Sequence, residues 1–424
     1  MGSLKKKINL DILILIVLLF VLNPLSYKYL WDNDGALSNE KILLLTFNTT
    51  LIIFFLAKEL ISVLTKKNND LLGYYFSFIV PLNCIIFLFT IEPFSVYRVI
   101  FILAIFLYLL LNLILQIHKK NSSINKNIFL LGTSIYSFFL LMELILMFYP
   151  KSHGSGQNNL ASKLWFKKYW KTNYFGFRND PFNISKKNNC VIFLGDSFTV
   201  GHGVKVNERF SDILKNELQN YEVINLGVNG SNSKEQFSTL KNYLEIEKRD
   251  VPLLVYQYFG NDIEKSHTEN KTFFLKNNDT KKSILYDLII NNSFFINYVY
   301  WSFSQKNNVE YKNELIKYYS NSVIFKRHLT EVSKITDFCL KNKIQLITII
   351  FPFMDDFESS QTIYIDRIKQ HFKGRDISTI DVSALKFKNR SLVVNNFDAH
   401  PSAYVHSIVA DTIAKIIKKK LNLN

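Results

Sequence analysis

The sequence predicts two structural classes in one chain: an all-α bundle of five transmembrane helices, followed by an α/β domain with a parallel sheet. Long Leu/Ile/Phe runs dominate the first 150 residues, whereas from residue 190 onward short apolar runs alternate with amphipathic helical segments. Strands that alternate with helices indicate a parallel sheet covered on both faces. The predicted division is a membrane domain (1–150), a linker and lead-in (151–188) and the α/β domain (189–424).

The five apolar segments each have about the 20 residues that an α-helix needs to cross a bilayer. Lys5 to Lys7 precede the first segment as in a signal peptide, but no small-residue cleavage site follows, which favours an uncleaved helix. No histidine lies inside a span, and Glu143 is explained as well by a hydrogen-bonded carboxyl as by a functional acid, so we interpret this domain as an anchor. The segments are 8–25, 41–64, 71–91, 95–117 and 127–149.

The loop charges predict the orientation of this bundle. Lysines concentrate in alternate loops, while the opposite loops hold mainly acids. By the positive-inside rule the amino terminus is cytoplasmic, and five crossings of the plasma (inner) membrane place the α/β domain outside the cytoplasm. The lysines of the predicted cytoplasmic side are Lys5, Lys6, Lys7, Lys66, Lys67, Lys119, Lys120 and Lys126.

The net charge of +16 at pH 7 is shared unevenly: residues 1–150 carry +4, and residues 151–424 carry the remaining +12. The lysines are scattered among Asn and Ile without a dense basic helix, so we expect no nucleic-acid partner; compositional bias or affinity for an anionic glycan or lipid explains the charge. The three cysteines form no CxxC pair, and the histidines show no metal-ligand spacing. We therefore expect no disulfide framework, no metal and no cofactor.

Periodicity places the elements of the α/β domain. An insertion, 263–320, interrupts the alternation; polar residues break its apolar part, so we prefer a lid or a helix on the membrane surface to a sixth span. The aromatic, basic stretch from Trp165 to Trp170 suits a membrane interface. Strands are expected near 190–194, 222–226, 252–258, 344–350 and 377–381, and helices near 207–219, 233–248, 321–342, 359–372 and 402–420.

Four short motifs follow predicted strands or precede the last helix. Gly195-Asp196-Ser197 comes directly after the apolar run 191–194, at the carboxyl edge of the sheet where ligands bind in open α/β folds. Gly227 and Asn261 follow the next two predicted strands, and Asp398-Ala399-His400 precedes the closing helix. Each motif alone is a common turn or cap, but their order behind successive strands favours a joint catalytic role.

These residue types together suit acyl transfer. Ser197 attacks an ester carbonyl only if a base, here His400, accepts its proton, and Asp398 would orient the imidazole and stabilise its charged form. The backbone N–H groups of Ser197 and Gly227 and the side-chain amide of Asn261 would stabilise the oxyanion. His202 lies near the nucleophile in sequence, where it either lines the pocket or packs a turn.

The four motifs resemble the sequence blocks of the SGNH (GDSL-like) hydrolase superfamily over residues 173–420. The resemblance implies a flavodoxin-like three-layer α/β/α domain with Ser197 as nucleophile, His400 as base, Asp398 as acid, and Ser197, Gly227 and Asn261 as the oxyanion hole. The lead-in from Asn173 to Arg178 is similar to one in membrane-attached bacterial members. One departure concerns the acid, which precedes the histidine by two residues rather than the three found in many members.

The resemblance implies ester chemistry and leaves three functions open. The first is a membrane-anchored, extracytoplasmic serine esterase that removes an acyl group, such as acetyl, from a cell-envelope glycan or lipid. The second is an O-acyltransferase acting on a surface polysaccharide, which would need a separate polytopic acyltransferase to deliver the acyl group. The third is a non-catalytic glycan-binding module, against which the complete set of catalytic residues argues.

Overall fold

The computed structural model describes residues 149–154, 156–157, 159–179, 189–264, 290–303 and 308–421, together with positions 138, 142, 145 and 146 of an earlier helix. The chain forms two compact units: Met1–Pro150 with Lys282–Tyr300, and Lys151–Lys281 with Trp301–Asn424. Within the described ranges, no helix combines the length and the apolar character that a membrane span requires. The five predicted spans lie, apart from a few positions of the last, outside the described residues and stay predictions.

The second unit contains a five-stranded parallel sheet with the strand order β2-β1-β3-β4-β5. Its inner strands are apolar and almost wholly buried, as expected for a sheet covered on both faces. This is the flavodoxin-like order that the resemblance implies, and its order reverses between β1 and β3. The strands are β1 (Asn189–Leu194), β2 (Glu222–Asn225), β3 (Asp250–Tyr258), β4 (Gln345–Ile350) and β5 (Ile377–Asp381).

Helices connect and cover the strands. The long helix α4 packs against α7, and α10 packs against α3. In α10 the buried residues Val405, Val409, Ile413 and Ile417 recur every four positions, so one helix face enters the core. The described helices are α1 (Leu160–Tyr169), α2 (Ser197–Val200), α3 (Phe210–Ile213), α4 (Ser233–Glu247), α5 (Phe294–Phe303), α6 (Asn308–Ser320), α7 (Ser322–Lys341), α8 (Phe357–Ser360), α9 (Asp366–Phe372) and α10 (Ala403–Lys420).

One predicted helix, 207–219, is instead a series of short turns around α3. Arg209 is the cause, because its backbone is extended (ψ 144°) and separates the turn before it from α3. Its guanidinium is fully buried, where it donates to the Arg178 carbonyl at 2.6 Å and pairs with Asp212. A regular helix through position 209 would change the direction of this side chain.

A two-stranded antiparallel hairpin precedes α10, where the sequence predicts no strand. It consists of β6 (Val393–Asn395) and β7 (Asp398–Pro401). These strands are only three and four residues long, too short for a period-2 pattern to be recognised. The hairpin matters because β7 carries both Asp398 and His400.

The interfacial role expected for the stretch from Trp165 to Trp170 is wrong for Trp165 and Phe166. Both residues lie on α1 and are buried in the second unit. The guanidinium carbon of Arg178 lies 5.3 Å from the centre of the Trp165 ring and 4.8 Å from that of Trp170. The two tryptophans therefore bind an internal arginine.

The insertion 263–320 divides between the two units. Its last part is α6, where Tyr311, Leu315 and Tyr319 are buried in the core of the second unit, so the apolar face of α6 is not available to cover the active site or to lie on a membrane. In the first unit, the Asn297 amide donates to the Ile290 carbonyl at 3.0 Å. Residues 265–289 lie outside the described ranges, and the expected lid stays a prediction there.

Candidate active site

Ser197 lies where β1 ends and α2 begins, at the reversal point of the sheet. The Asp196 carboxylate accepts a hydrogen bond from the Phe198 N–H at 2.9 Å and caps this short helix. Gly195 must lack a side chain, since a Cβ atom there would lie 2.3 Å from both Gln257 Oε1 and Thr199 Oγ1. The tight turn thus presents the Ser197 hydroxyl at the carboxyl edge of the sheet.

The structure brings Ser197, His400 and Asp398 into one hydrogen-bonded line. His400 Nε2 lies 2.8 Å from Ser197 Oγ, and His400 Nδ1 lies 2.6 Å from Asp398 Oδ1. A carboxylate only accepts, so Nδ1 carries the imidazole proton and the Nε2 lone pair faces the serine hydroxyl. This is the arrangement in which an imidazole acts as base toward serine.

The two-residue spacing between Asp398 and His400 follows from their position on β7. Alternate residues of a strand point to the same side, so an Asp-x-His sequence in β conformation directs both side chains to one face. Asp398 Oδ1 also accepts from the His400 backbone N–H at 3.2 Å, which fixes the carboxylate beside the ring. The departure from the three-residue spacing is thereby accommodated by backbone conformation.

Asp398 is ionised although it is buried. Burial by itself would raise the pKa of this carboxyl, but the adjacent imidazoles of His400 and His202 and hydrogen bonds from His400 and Ser152 hold the pKa well below its usual range. The carboxylate is therefore available to stabilise an imidazolium at His400.

Two of the three predicted oxyanion donors lie at the edge where Ser197 stands. The Ser197 N–H begins α2, and no acceptor for it is found among the described residues. Asn261 belongs to the turn Gly260–Ile263 that follows β3. Burial raises the pKa of Asp196, and hydrogen bonds from the Phe198 N–H and the Asn261 side chain oppose that rise. Because β1 and β3 are neighbours, both donors lie at the reversal point of the sheet.

The assignment of Gly227 as an oxyanion donor is not supported by its geometry. Its N–H already donates to Asn225 Oδ1 at 2.9 Å. A Cβ atom at this position would lie 2.4 Å from the Val200 nitrogen, so the glycine permits close packing of two backbones. The role of Gly227 is therefore structural: it lets the segment after β2 lie against α2.

The turn after Gly227 lies closer to the nucleophile. The Val228 N–H and the Ser231 hydroxyl both donate to the Gly195 carbonyl, at 3.1 and 3.2 Å. Between them, Asn229 hydrogen-bonds to His202, and Gly230 adopts a left-handed conformation (φ 68°). No acceptor for the Gly230 N–H is found in the described part of the chain.

Sequence reasoning missed one residue that contacts the acid, Ser152, and left the role of His202 open. Ser152 Oγ donates to Asp398 Oδ2 and is buried. His202 is buried too, with its ring stacked on that of His400 at 4.3 Å and Nε2 lying 3.7 Å from Asp398 Oδ2. Arg178 holds the turn that carries His202, donating to the Val204 carbonyl at 2.7 Å. The motif Gly201-His202-Gly203 was the available signal for His202; Ser152 had none.

Possible metal ligation involves these same side chains. Ligand atoms of His202, Asp398 and His400 lie within 4.8 Å of one another. However, the two imidazole planes are 23° apart and stacked, so their in-plane lone pairs do not converge on one point. Both nitrogens of His400 are engaged, by Ser197 and Asp398. The geometry is that of a hydrogen-bonded triad with a packed neighbour.

Comparison with known proteins gives similarity at the level of solved structures. No family model matches the chain, and no curated protein is significantly similar to it. A member of the lipolytic G-D-S-L protein family from Veillonella parvula is 13% identical with a TM-score of 0.33, over 55% of this chain and 99% of that chain. The esterase EstA from a Pseudoalteromonas species is 14% identical with a TM-score of 0.34, over 55% and 99% of the two chains.

A family two carbohydrate esterase from Clostridium thermocellum, solved with cellohexaose, is 11% identical with a TM-score of 0.34. The similarity covers 56% of this chain and 65% of that chain. With identities this low and TM-scores below 0.5, none of these structures assigns an activity or a substrate to the chain. The chemistry has to be inferred from its own residues.

Proposed function

We propose that the chain is a serine-dependent ester hydrolase that works through an acyl-serine intermediate. The observation that supports it is the continuous line from Asp398 through His400 to Ser197, with contacts of 2.6 and 2.8 Å. Asp398 and His400 lie on β7, and Ser197 follows the end of β1, about two hundred residues earlier in the chain. A module that only binds glycans has no need of a buried carboxylate, an oriented imidazole and a serine joined by hydrogen bonds in one line.

In the first half-reaction His400 Nε2 takes the proton of Ser197 as its Oγ attacks the ester carbonyl carbon. The imidazolium that forms keeps its Nδ1–H on Asp398, whose ionised carboxylate stabilises the new positive charge. His400 then returns the proton to the departing alcohol. The second half-reaction repeats these steps, with water attacking the acyl group on Ser197.

The oxyanion formed in each step needs donors already in place. We assign this role to the Ser197 N–H and the Asn261 side-chain amide, and we replace Gly227 by the neighbouring N–H of Gly230. The turn that carries Gly230 is tied to the Gly195 carbonyl, two residues before the nucleophile. Each such donor contributes roughly 3–4 kcal/mol to the transition state in serine hydrolases.

We further propose that the substrate is an acylated cell-envelope glycan or lipid, reached from outside the cytoplasm. The support is in the sequence: five apolar segments with lysines in alternate loops precede the domain, and an odd number of crossings places it on the far side. An anchored enzyme meets substrates that are themselves confined to the envelope.

Labelling with a fluorescent fluorophosphonate tests the activity, because this reagent reacts with an activated serine whatever the natural substrate. The full-length protein in detergent should label rapidly, whereas Ser197→Ala should lose labelling by roughly 10⁴-fold or more, since no nucleophile remains. Heat-denatured wild type is the control for non-specific reaction. Wild type that labels no faster than Ser197→Ala would exclude a catalytic serine and leave the binding module.

Envelope composition separates hydrolase from O-acyltransferase, which share the acyl-serine. In the native host, Ser197→Ala should increase the acyl content of envelope glycan or lipid if water resolves the intermediate. A decrease would show that a sugar hydroxyl accepts the acyl group, and would favour the transferase with a separate acyl-delivery protein. Wild-type and variant protein levels in the membrane fraction must be equal.

A further inference from the structure

A short segment at the start of the second unit lies against the acid end of the triad. We call this segment, Lys151 to Gly154, the strap. The Gly154 N–H donates to the Phe397 carbonyl at 2.9 Å, and the Asn395 side-chain amide donates to the Ser152 carbonyl at 3.2 Å. Both bonds tie the strap to the hairpin that carries Asp398 and His400.

The strap holds the carboxylate oxygen that His400 leaves unused. Asp398 Oδ1 accepts from His400, and Oδ2 accepts from the Ser152 hydroxyl. Both Ser152 and Asp398 are only 1% exposed, so this hydrogen bond is shielded from solvent. The site is closed from the other side by Gly203, where a Cβ atom would lie 2.7 Å from Asp398 Oδ2 and 2.9 Å from Ser152 Oγ.

The strap also orients His202. Its Nε2 lies 2.9 Å from the His153 carbonyl oxygen, and because a carbonyl only accepts, Nε2 carries the proton. The ring then lies flat against His400, with 4.3 Å between ring centres and 23° between planes. Burial and the neighbouring His400 lower the pKa of His202 to about 4, so this packed ring is neutral at neutral pH.

We propose that Ser152 and His202 are positioning residues of the triad, which the strap holds on the two free sides of Asp398 and His400. This inference rests on the proposed function of Ser197 as the nucleophile. The Ser152 hydroxyl stops the carboxylate from turning about its terminal bond, and the His202 ring stops the base from tilting away from the serine. Neither side chain forms a hydrogen bond with Ser197 Oγ or with His400 Nε2.

The positioning role predicts a specific change with pH. Without the Ser152 donor, ionised Asp398 is less stabilised, so the pKa of this carboxyl rises. This rise moves the loss of activity on acidification to higher pH. Among the described residues, the titratable groups that act on Asp398 are His153, His202 and His400, and all three remain in place in Ser152→Ala.

The test compares Ser152→Ala with Ser162→Ala in the full-length protein. Ser162 is a matched control, because it is equally buried and its hydroxyl donates to the Gly156 carbonyl rather than to the triad. The rate constant for fluorophosphonate labelling is measured across pH. We expect Ser152→Ala to label roughly tenfold more slowly at neutral pH, the cost of one hydrogen bond to a charged group. Its acid limb should shift to higher pH.

Ser162→Ala should keep the wild-type rate within about twofold and the wild-type acid limb. Ser152→Ala with an unchanged rate, or with a loss that is uniform at all pH values, would overturn the inference, since a fold defect scales labelling without moving the pH profile. Wild type that fails to label would overturn the proposed function, and this inference with it.

A second pair of variants tests the ring. His202→Phe keeps a flat ring against His400 but loses the N–H, whereas His202→Leu loses the flat ring as well. We expect the phenylalanine variant to label within about threefold of wild type and the leucine variant roughly tenfold more slowly. Equal rates for the two variants would overturn the role assigned to the ring.

Discussion

At the residue scale, the role of each group in the site depends on whether its donor or acceptor atoms already have a hydrogen-bond partner. Asp398 has both oxygens engaged, so the Nδ1 side of His400 is fixed and only Nε2 faces the serine. The same reasoning removes Gly227 from the oxyanion hole, because its N–H is bonded to Asn225 Oδ1. A donor contributes to catalysis only if it is free before the substrate arrives.

The Asn261 amide carries two N–H groups, and we expect the one that is not directed to Asp196 to act as the oxyanion donor; replacing the residue measures that contribution. Asn261→Ala should lower the fluorophosphonate labelling rate by roughly 10²–10³-fold, because the phosphoryl oxygen loses one donor in the transition state. Asn342→Ala is the control, since this exposed amide bonds only within its own helix end, to the Phe338 carbonyl. An Asn261→Ala rate within twofold of that control would exclude Asn261 from the oxyanion hole.

At the element scale, the lead-in and the turn after α2 depend on one arginine. The Arg178 guanidinium donates to the carbonyls of Tyr169 and Val204, at 3.1 and 2.7 Å, and is packed between Trp165 and Trp170. Planar, multiple donation of this kind suits a guanidinium and not an ammonium. Burial lowers the pKa of Arg178 to about 9, which still leaves it charged at neutral pH.

Loss of this arginine should destabilise the second unit. Arg178→Met keeps much of the apolar volume but leaves several carbonyls without a donor, so we expect a fall of about 2–4 kcal/mol in the free energy of unfolding. Urea denaturation followed by tryptophan fluorescence measures it. The control is Arg390→Met, at an exposed arginine that lies over the Tyr404 ring; it should stay within about 0.5 kcal/mol of wild type. Equal midpoints for both variants would contradict the role of Arg178.

At the scale of the whole described domain, buried titratable groups act on stability in opposite directions. Burial lowers the pKa of His328 and of His406 to about 3, so each favours folding above its unfolded pKa and loses that contribution as the pH falls. Burial raises the pKa of Asp262 well above its usual value, with the nearby Asp196 adding to the effect. This carboxyl stabilises the fold at low pH and loses that contribution as the pH rises through its folded pKa.

Asp262→Asn tests how the raised pKa of Asp262 changes the stability of the fold with pH. The wild type loses stability as Asp262 ionises, and an amide does not ionise, so the variant should gain stability relative to wild type as the pH rises from about 4 to 8. Urea midpoints of both proteins at several pH values measure this difference. Loss of the Phe259 N–H bond to the carboxylate (3.3 Å) shifts all the variant's values together and does not create a slope. A constant difference across pH would show that Asp262 titrates as it does in the unfolded chain.

Local patterns were sufficient for the main elements and for the reacting residues. The parallel strands and the long helices α4, α7 and α10 lie within a few residues of the predicted positions, because apolar periodicity is a property of the sequence alone. Ser197, Asp398 and His400 could be identified because their motifs adjoin strand ends or the last helix. The broken helix around Arg209 could not be predicted, since its buried guanidinium is held by the Arg178 carbonyl, 31 residues away, as well as by the neighbouring Asp212.

The sequence by itself determined the alternation of strands and helices, the serine at a strand end and the Asp-x-His pair, all of which depend on neighbours in the chain. Only the tertiary structure decided which donors are free and what supports the acid. The N–H of Gly227 is already bonded to Asn225. Ser152, which lies 246 residues from Asp398 in the chain, is the hydrogen-bond partner of Asp398. The physical reason is that a hydrogen bond depends on distance and direction in space, and contacts between segments far apart in the chain leave no periodic signal in either segment.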